Sequence, residues 1–154
     1  MNELIKLCTF NAAYCEAIDS DELEKWPTFF TPDCRYRITN VDNEREGLAA
    51  GIIYADSRDM LEDRIAALRQ ANIYERQRYR HLLGMPLISA SAGGEIHART
   101  PFMIARIMLT GETDLFATGV YADRFIEQGD RLLLADRVVV CDSTVTDTLL
   151  ALPL

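Results

Sequence analysis

The sequence predicts an α+β domain in which N-terminal helices fold over the concave face of a bent antiparallel sheet. Helical periodicity is confined to the first half of the 154-residue chain, and the second half consists of long runs rich in Val, Ile, Leu, Phe and Tyr. Three turn-forming stretches, each with a glycine, divide these runs into strands. Helices followed by a meander of strands are typical of an α+β fold. With 49% hydrophobic residues, residues 1–154 are expected to form a single domain.

The first predicted helix covers residues 3–19. Its apolar side chains recur at three- and four-residue steps on one face: Leu4, Leu7, Cys8, Tyr14, Cys15 and Ile18. A short second helix follows, with Asp19 or Ser20 as its N-cap. It is expected to end near Trp26, because a proline disfavours helical geometry in the residue before it.

The stretch "WPTFFTPDCRYRI", residues 26–38, changes from helix to strand. Trp26, Phe29 and Phe30 are expected to close one end of the core. A turn is expected at Thr31-Pro32-Asp33. A strand over residues 34–39 then points Cys34, Tyr36 and Ile38 to one face, because side chains alternate along a strand.

The middle of the chain contains the clearest helix. A polar loop, "NVDNEREG", is expected to lead towards it. The helix covers residues 57–73, is capped by Ser57 or Asp56, and buries Leu61, Ile65 and Leu68.

Four antiparallel strands are predicted in the second half, at roughly 79–91, 96–110, 113–127 and 131–142. Runs of this length rarely stay flat. We expect bulges or bends at Gly84-Met85-Pro86 and at Gly119, where the sheet would curl.

Composition excludes several classes of function. The formal net charge of −8 argues against nucleic acid or an anionic membrane surface as the main partner. No run of about 18 apolar residues predicts a transmembrane helix. The acidic N-terminal region does not resemble a signal peptide, so a cytoplasmic location is expected. The four cysteines have no C-x-x-C spacing and are expected to be reduced and buried.

The sequence offers few metal ligands. Its two histidines, His81 and His97, belong to no recognised zinc motif, and no Cys-x-His pair could begin a Rieske site. Phosphate-binding loops, dinucleotide fingerprints and the G-x-S-x-G elbow are also missing. We therefore expect no catalytic, cofactor-binding or metal-binding residues in this chain.

Two other patterns leave alternatives open. His81, with Tyr36 or Tyr121, could form a proton-transfer site inside a cone, or could be a hydrogen-bonded residue of the sheet. Arg76, Arg78 and Arg80 alternate along one strand. With His81 they are predicted to meet carboxylates of a partner, although a solvated row of arginines has the same pattern.

Several motifs resemble the small (beta) subunits of aromatic-ring-hydroxylating dioxygenases. They include "FNAAY", "WPTFFT", "YRITNVDN", "EGLAAGI", "ANIYERQRYRH" and the tail "VVVCDSTVTDTLLALPL". The residues that carry most of the match are Tyr14, Asp19, Trp26, Phe30, Asp33, Tyr36, Arg80 and His81. The resemblance extends from about residue 3 to the end of the sequence.

The resemblance implies a cystatin-like cone, the fold shared with nuclear transport factor 2 and the ketosteroid isomerases. It implies a structural subunit without a cofactor, whose large-subunit partner holds a Rieske [2Fe–2S] centre and a mononuclear Fe(II). It also implies a hexamer of three large and three small subunits, served by a separate NAD(P)H-dependent reductase. The implied substrate is an aromatic carboxylate, with terephthalate first and salicylate or anthranilate open. The alternative is a self-sufficient isomerase or dehydratase that uses His81 with Tyr36 or Tyr121.

Overall fold

The computed structural model describes residues 2–45, 53–71, 77–143 and 152–154. All the described helices lie in the N-terminal half, and five of the seven described strands lie in the C-terminal half, close to the prediction. In chain order, the elements are α1 (Glu3–Asp19), a 3₁₀ helix (Leu23–Phe29), β1 (Phe30–Asn40), α2 (Val41–Arg45), β2 (Ile53–Ala55), α3 (Arg58–Ala71), β3 (Gln77–Leu83), β4 (Leu87–Ala92), β5 (Glu95–Met108), β6 (Thr113–Gln128) and β7 (Arg131–Cys141).

One curved sheet contains all seven of these strands. Its order is β2-β1-β7-β6-β5-β3, and β4 also pairs with β5, alongside β3. Every pair is antiparallel except β1 and β7, which run parallel, so the sheet is mixed rather than wholly antiparallel. The sheet curls round α1 and the 3₁₀ helix, and this arrangement is the predicted cone.

Helix α1 has the predicted bounds. The Asn2 side chain caps it, with Oδ1 accepting from the backbone N–H of Ile5 at 2.8 Å. Its buried face contains Leu7, Phe10, Asn11, Tyr14, Cys15, Ala17 and Ile18. Cys8, which we expected on this face, is exposed. The cysteines are all free, and Cys15 and Cys34 are the two that are buried.

The second helix differs from the prediction in type and extent. It is a 3₁₀ helix that continues through Pro27 to Phe29. Its N-cap is Glu22, without a side-chain hydrogen bond. A short 3₁₀ segment tolerates proline because the missing N–H removes only one backbone hydrogen bond. The Lys25 N–H still donates to the Glu22 carbonyl oxygen, and the Phe30 N–H donates to the Pro27 carbonyl oxygen.

Strand β1 begins earlier than predicted, and the expected turn after Phe30 is instead a shift in the β1–β7 register between Phe30 and Arg35. The alternation itself is confirmed, since Cys34, Tyr36 and Ile38 are all fully buried. Helix α2 forms where a polar loop was expected. The short strand β2 was not predicted.

Helix α3 begins at the predicted cap, where Ser57 Oγ accepts from the backbone N–H of Met60 at 3.2 Å. Leu61 and Ile65 are buried, and Leu68 packs against the core while partly exposed. Residues 72 and 73, the predicted end of this helix, lie outside the described residues.

The predicted bend at Gly84-Met85-Pro86 is confirmed, because the run expected at 79–91 divides there into β3 and β4. Gly84 N–H donates to the Pro101 carbonyl at 2.8 Å, which keeps the bent edge attached to β5. Gly119 is not a bulge, since it pairs in register with both Phe102 and Cys141. The register shifts lie elsewhere, including between Ile104 and Ala105 on β5.

Candidate functional site

The interior of the cone is closed by the aromatic plug predicted from the sequence. Trp26 and Phe30 are completely buried, and Phe29 packs against the core from its edge. The Trp26 indole N–H donates to the Tyr14 hydroxyl at 3.0 Å. The Trp26 ring also meets the rings of Phe30 and Tyr36 edge-on, with centroids 5.6 and 5.1 Å away.

Residues 152–154 fill the rest of this end of the interior. The hydroxyls of Tyr14 and Tyr36 both donate to the Leu154 carbonyl oxygen, at 3.0 and 3.1 Å. The Leu154 N–H in turn donates to the Tyr36 hydroxyl at 3.1 Å. Leu152 and Leu154 are buried among the core side chains. This contact has no local signal in the sequence, because it joins residues more than 100 positions apart.

A buried ion pair lies deeper in the cone. Arg137 is completely buried, and its guanidinium donates to the Asp123 carboxylate at 2.8 and 2.9 Å and to Asn11 Oδ1 at 2.8 Å. The guanidinium also stacks between the rings of Tyr14 and Tyr121, whose centroids are 4.3 and 4.0 Å from its central carbon.

Both side chains of the pair are completely buried. Burial raises the pKa of the Asp123 carboxyl, and Arg137 offsets part of that increase. Truncating one partner of such a pair is expected to be costly, because a buried charge would be left without its counter-charge. The Arg137–Asp123 pair therefore joins β6 to β7 inside the cone.

His81 lies on the inner face of β3 and is bound to the end of α1. Its Nδ1 lies 2.6 Å from Asp19 Oδ1, and its backbone N–H donates to Asp19 Oδ2 at 2.9 Å. The His81 side chain is 0% exposed and that of Asp19 is 4% exposed. Asp19 therefore joins α1 to β3. The sequence had suggested that Asp19 or Ser20 caps the following helix, but the N-cap of that helix is Glu22.

The predicted proton-transfer set is not brought together. A cavity of about 440 Å³ opens elsewhere, beside the N-terminal half of α1, and one of about 320 Å³ lies between α1 and β3. His81 and Asp19 are among the residues around the second cavity, but Tyr36 and Tyr121 are not. His81 Nε2 is buried and has no hydrogen-bond partner within the described chain.

The two tyrosines are also poorly suited to accept a proton. Burial raises the pKa of both Tyr36 and Tyr121 well above the usual range, so that both phenols stay neutral at physiological pH. Tyr36 is bound to Leu154, and the Tyr121 ring stacks on Phe102 with centroids 4.7 Å apart.

The predicted interface residues lie on two faces of β3. Arg78 and Arg80 are exposed on the outer face, whereas His81 points inward. Arg76 lies outside the described residues. The period of two along a strand accounts for this division, because odd and even positions face opposite sides.

Metal ligands are scattered through the described chain. No three His, Cys, Asp or Glu side chains within it are placed to hold a metal ion together. His97 contacts Glu95, with Nε2 2.6 Å from the carboxylate, and His81 is bound to Asp19. Within the same residues, no helix is long and apolar enough to cross a membrane.

Comparison with known families decides the class of the protein. The family model described as "Ring hydroxylating beta subunit" matches residues 13–148. The chain belongs to this family.

Relatives of this beta-subunit family member agree with the assignment. It is 62% identical, over 97% of both chains, to a subunit beta of the terminal oxygenase component of terephthalate 1,2-dioxygenase from Comamonas sp.. It is 36% identical to the small subunit of anthranilate 1,2-dioxygenase from Burkholderia cepacia, over 92% of this chain and 88% of the relative.

A solved structure confirms the cone fold of this family member. The crystal structure is that of the beta subunit of a putative aromatic-ring-hydroxylating dioxygenase from Novosphingobium aromaticivorans. It superposes with a TM-score of 0.90 and 36% identity, covering 98% of this chain and 96% of the other.

Proposed function

We propose that this chain is the structural small subunit of a ring-hydroxylating dioxygenase that acts on an aromatic carboxylate, with terephthalate as the first candidate. The observation that carries the proposal is the 62% identity, over 97% of the chain, to a beta subunit of terephthalate 1,2-dioxygenase. The filled interior supports a structural role, since Trp26, Leu154 and the Arg137–Asp123 pair are buried within it.

The catalytic iron then belongs to the large subunit. A Rieske centre needs two cysteines and two histidines, and a mononuclear iron site needs clustered imidazoles and carboxylates. The described residues do not fit either group, because His81 and His97 are each bound to a separate carboxylate. In the proposed assembly, three large and three small subunits form a hexamer, and a separate NAD(P)H-dependent reductase supplies electrons. We place this assembly in the cytoplasm and treat residues 1–154 as one domain.

The test is reconstitution. The chain is purified alone and together with its co-expressed large subunit, and the complex is analysed by size-exclusion chromatography with mass measurement. We expect stable co-purification at equal stoichiometry, iron that stays with the large subunit, and turnover of terephthalate once reductase is added. Anthranilate and salicylate are assayed in parallel to rank the aromatic acids. A chain that never binds the large subunit would contradict the proposal.

The same preparation separates the proposal from a self-sufficient cone enzyme. A general acid or base at His81 would contribute about 10²–10⁴-fold to the rate. In the structural role, His81→Asn should leave turnover per assembled hexamer nearly unchanged, with any loss tracking weaker assembly. A thousandfold fall in turnover with assembly intact would favour the enzyme.

A further inference from the structure

The outer face of the sheet is unusually apolar where β3, β5 and β6 meet. An antiparallel sheet with one face in water normally has polar side chains at its outward positions. Here Leu82, Met103 and Leu115 point outward and are 62%, 45% and 61% exposed. The described helix that packs on β3 is α1, and it does so on the inner face, where Asp19 meets His81.

These side chains share the outer face of three neighbouring strands. Leu82 on β3 lies directly opposite Met103 on β5, and Leu115 on β6 lies opposite Ala105, two residues further along β5. Directly opposed residues have Cβ atoms about 4.5–5.5 Å apart, so Leu82 adjoins Met103, while Ala105 lies between Met103 and Leu115 on the same face. Exposed apolar side chains grouped on one face of a sheet are typical of a protein interface.

Arginines surround the apolar group. Arg78 and Arg80 precede Leu82 on the same face of β3, and Arg99 lies on the outward side of β5; all three are exposed. Their side chains form no ion pair with the described part of the chain. This local excess of positive charge contrasts with the net charge of −8 for the whole chain. Arg and Met are enriched at protein interfaces, where charged groups other than Arg are depleted.

We propose that this surface, the outer patch, docks the large subunit through a complementary region with an apolar centre and carboxylates at its edge. The outer patch consists of Arg78, Arg80, Leu82, Arg99, Met103 and Leu115. The inference rests on the proposed function and adds which face of the small subunit the partner covers. A twofold contact between two small subunits would bring the arginines of one copy against those of the other, because such a contact uses the same patch twice. A contact between neighbouring small subunits of the hexamer is the alternative that the self-association measurement below separates.

The experiment measures binding to the iron-loaded large subunit, immobilised by an affinity tag, with the purified small subunit as analyte. Leu82→Glu tests the apolar centre and Arg80→Glu tests the charged edge. Each variant should raise Kd by about 10-fold or more, the size of effect expected of a central interface residue. Both side chains are exposed, so the circular dichroism and thermal melting of the isolated subunit should not change.

Matched controls place the same changes on other surfaces. Ile5→Glu replaces an apolar residue of α1 that is 50% exposed, and Arg131→Glu replaces an exposed arginine at the start of β7. Both should bind like the wild type. Wild-type binding combined with unaltered Kd values for Leu82→Glu and Arg80→Glu would overturn the docking surface and leave the proposed function standing.

Two further outcomes are distinguishable. If the patch variants abolish self-association of the isolated small subunit but bind the large subunit normally, the patch is an interface between copies of this chain and the proposal is wrong. If the wild type itself does not bind the large subunit, the proposed function fails, and the docking surface fails with it.

Discussion

Trp26 shows how one side chain can connect three separate parts of the chain. Its indole N–H donates to Tyr14 on α1, and the Tyr14 hydroxyl donates onward to Leu154. Both bonds are buried, so neither competes with water. The ring position could be predicted from the sequence, because a tryptophan beside a proline and two phenylalanines, between helix and strand, favours a core plug. Its hydrogen-bond partners could not, since they depend on how distant segments meet.

Trp26→Ala should lower the free energy of unfolding by about 3–5 kcal/mol, the cost of removing a buried aromatic side chain and leaving a cavity. Trp26→Phe keeps a ring but loses the N–H donor and should cost about 1–2 kcal/mol. Guanidinium denaturation followed by circular dichroism measures both. A loss below about 1 kcal/mol for the alanine variant would mean that the ring does not carry the core contacts described here.

His81 shows which contacts a local sequence pattern does not specify. It lies on the same face of β3 as Tyr79, and the two rings lie 6.1 Å apart, centroid to centroid. The predicted interface combined His81 with the neighbouring arginines, although odd- and even-numbered positions of a strand face opposite sides of the sheet. Its true partner, Asp19, is 62 positions away and could not be chosen from local pattern.

At the scale of elements, local signals predicted most of the fold. Helix α1, helix α3 and the meander of the second half follow from periodicity, capping residues and turn glycines. The parallel pairing of β1 with β7 did not follow, because it joins strands about 100 residues apart and is decided by packing in three dimensions. The 3₁₀ geometry around Pro27 was missed for a different reason: the rule against helical geometry before proline concerns the α-helix.

Gly119 is required by the close approach of β6 and β7. A Cβ at this position would lie 2.1 Å from the Val140 carbonyl oxygen and 2.9 Å from the Phe102 ring. Because the first obstacle is backbone, Gly119→Ala should force the two strands apart and destabilise the protein by about 1–3 kcal/mol or more.

Gly129→Asn is the matched control for this effect. Gly129 lies in the β6–β7 turn at a φ of +61°, and nothing lies within 4 Å of the position that a Cβ would occupy. Asparagine tolerates this left-handed conformation, so the variant should unfold close to the wild-type midpoint. Equal stability of Gly119→Ala and Gly129→Asn in thermal melts would show that β6 and β7 can separate freely at Gly119.

At the scale of the whole molecule, side chains of this chain fill the interior of the cone. The Asp123–Arg137 pair was not predicted, although a signal existed. Each residue occupies an inward position between apolar neighbours, and the two are directly opposed in the β6–β7 register. Two opposite charges at inward positions of a predicted hairpin indicate a buried pair. The contribution of residues 152–154 carried no comparable signal, because a short apolar segment does not specify which cavity it fills.

This closed interior predicts a steep loss of stability at alkaline pH. Burial raises the pKa of Tyr14 from 10.0 to about 12, and raises those of Tyr36 and Tyr121 well above their usual range. In the unfolded chain these phenols lose their protons near pH 10, whereas in the folded protein they keep them. The stabilisation is therefore complete below about pH 10 and is lost as the pH rises through the folded-state values.

The slope of the unfolding free energy against pH depends on how many phenols are buried. Each contributes about 1.4 kcal/mol per pH unit between its unfolded and folded pKa, so three together approach about 4 kcal/mol per unit. Phenolate absorbance and circular dichroism, recorded together during a titration from pH 9 to pH 12.5, should show these phenols ionising only as the fold is lost. Tyr121→Phe removes a hydroxyl that has no hydrogen-bond partner among the described residues, so it should keep stability at pH 7 while reducing the slope by about a third. Full ionisation of all tyrosines with native circular dichroism would show instead that water reaches the interior of the cone.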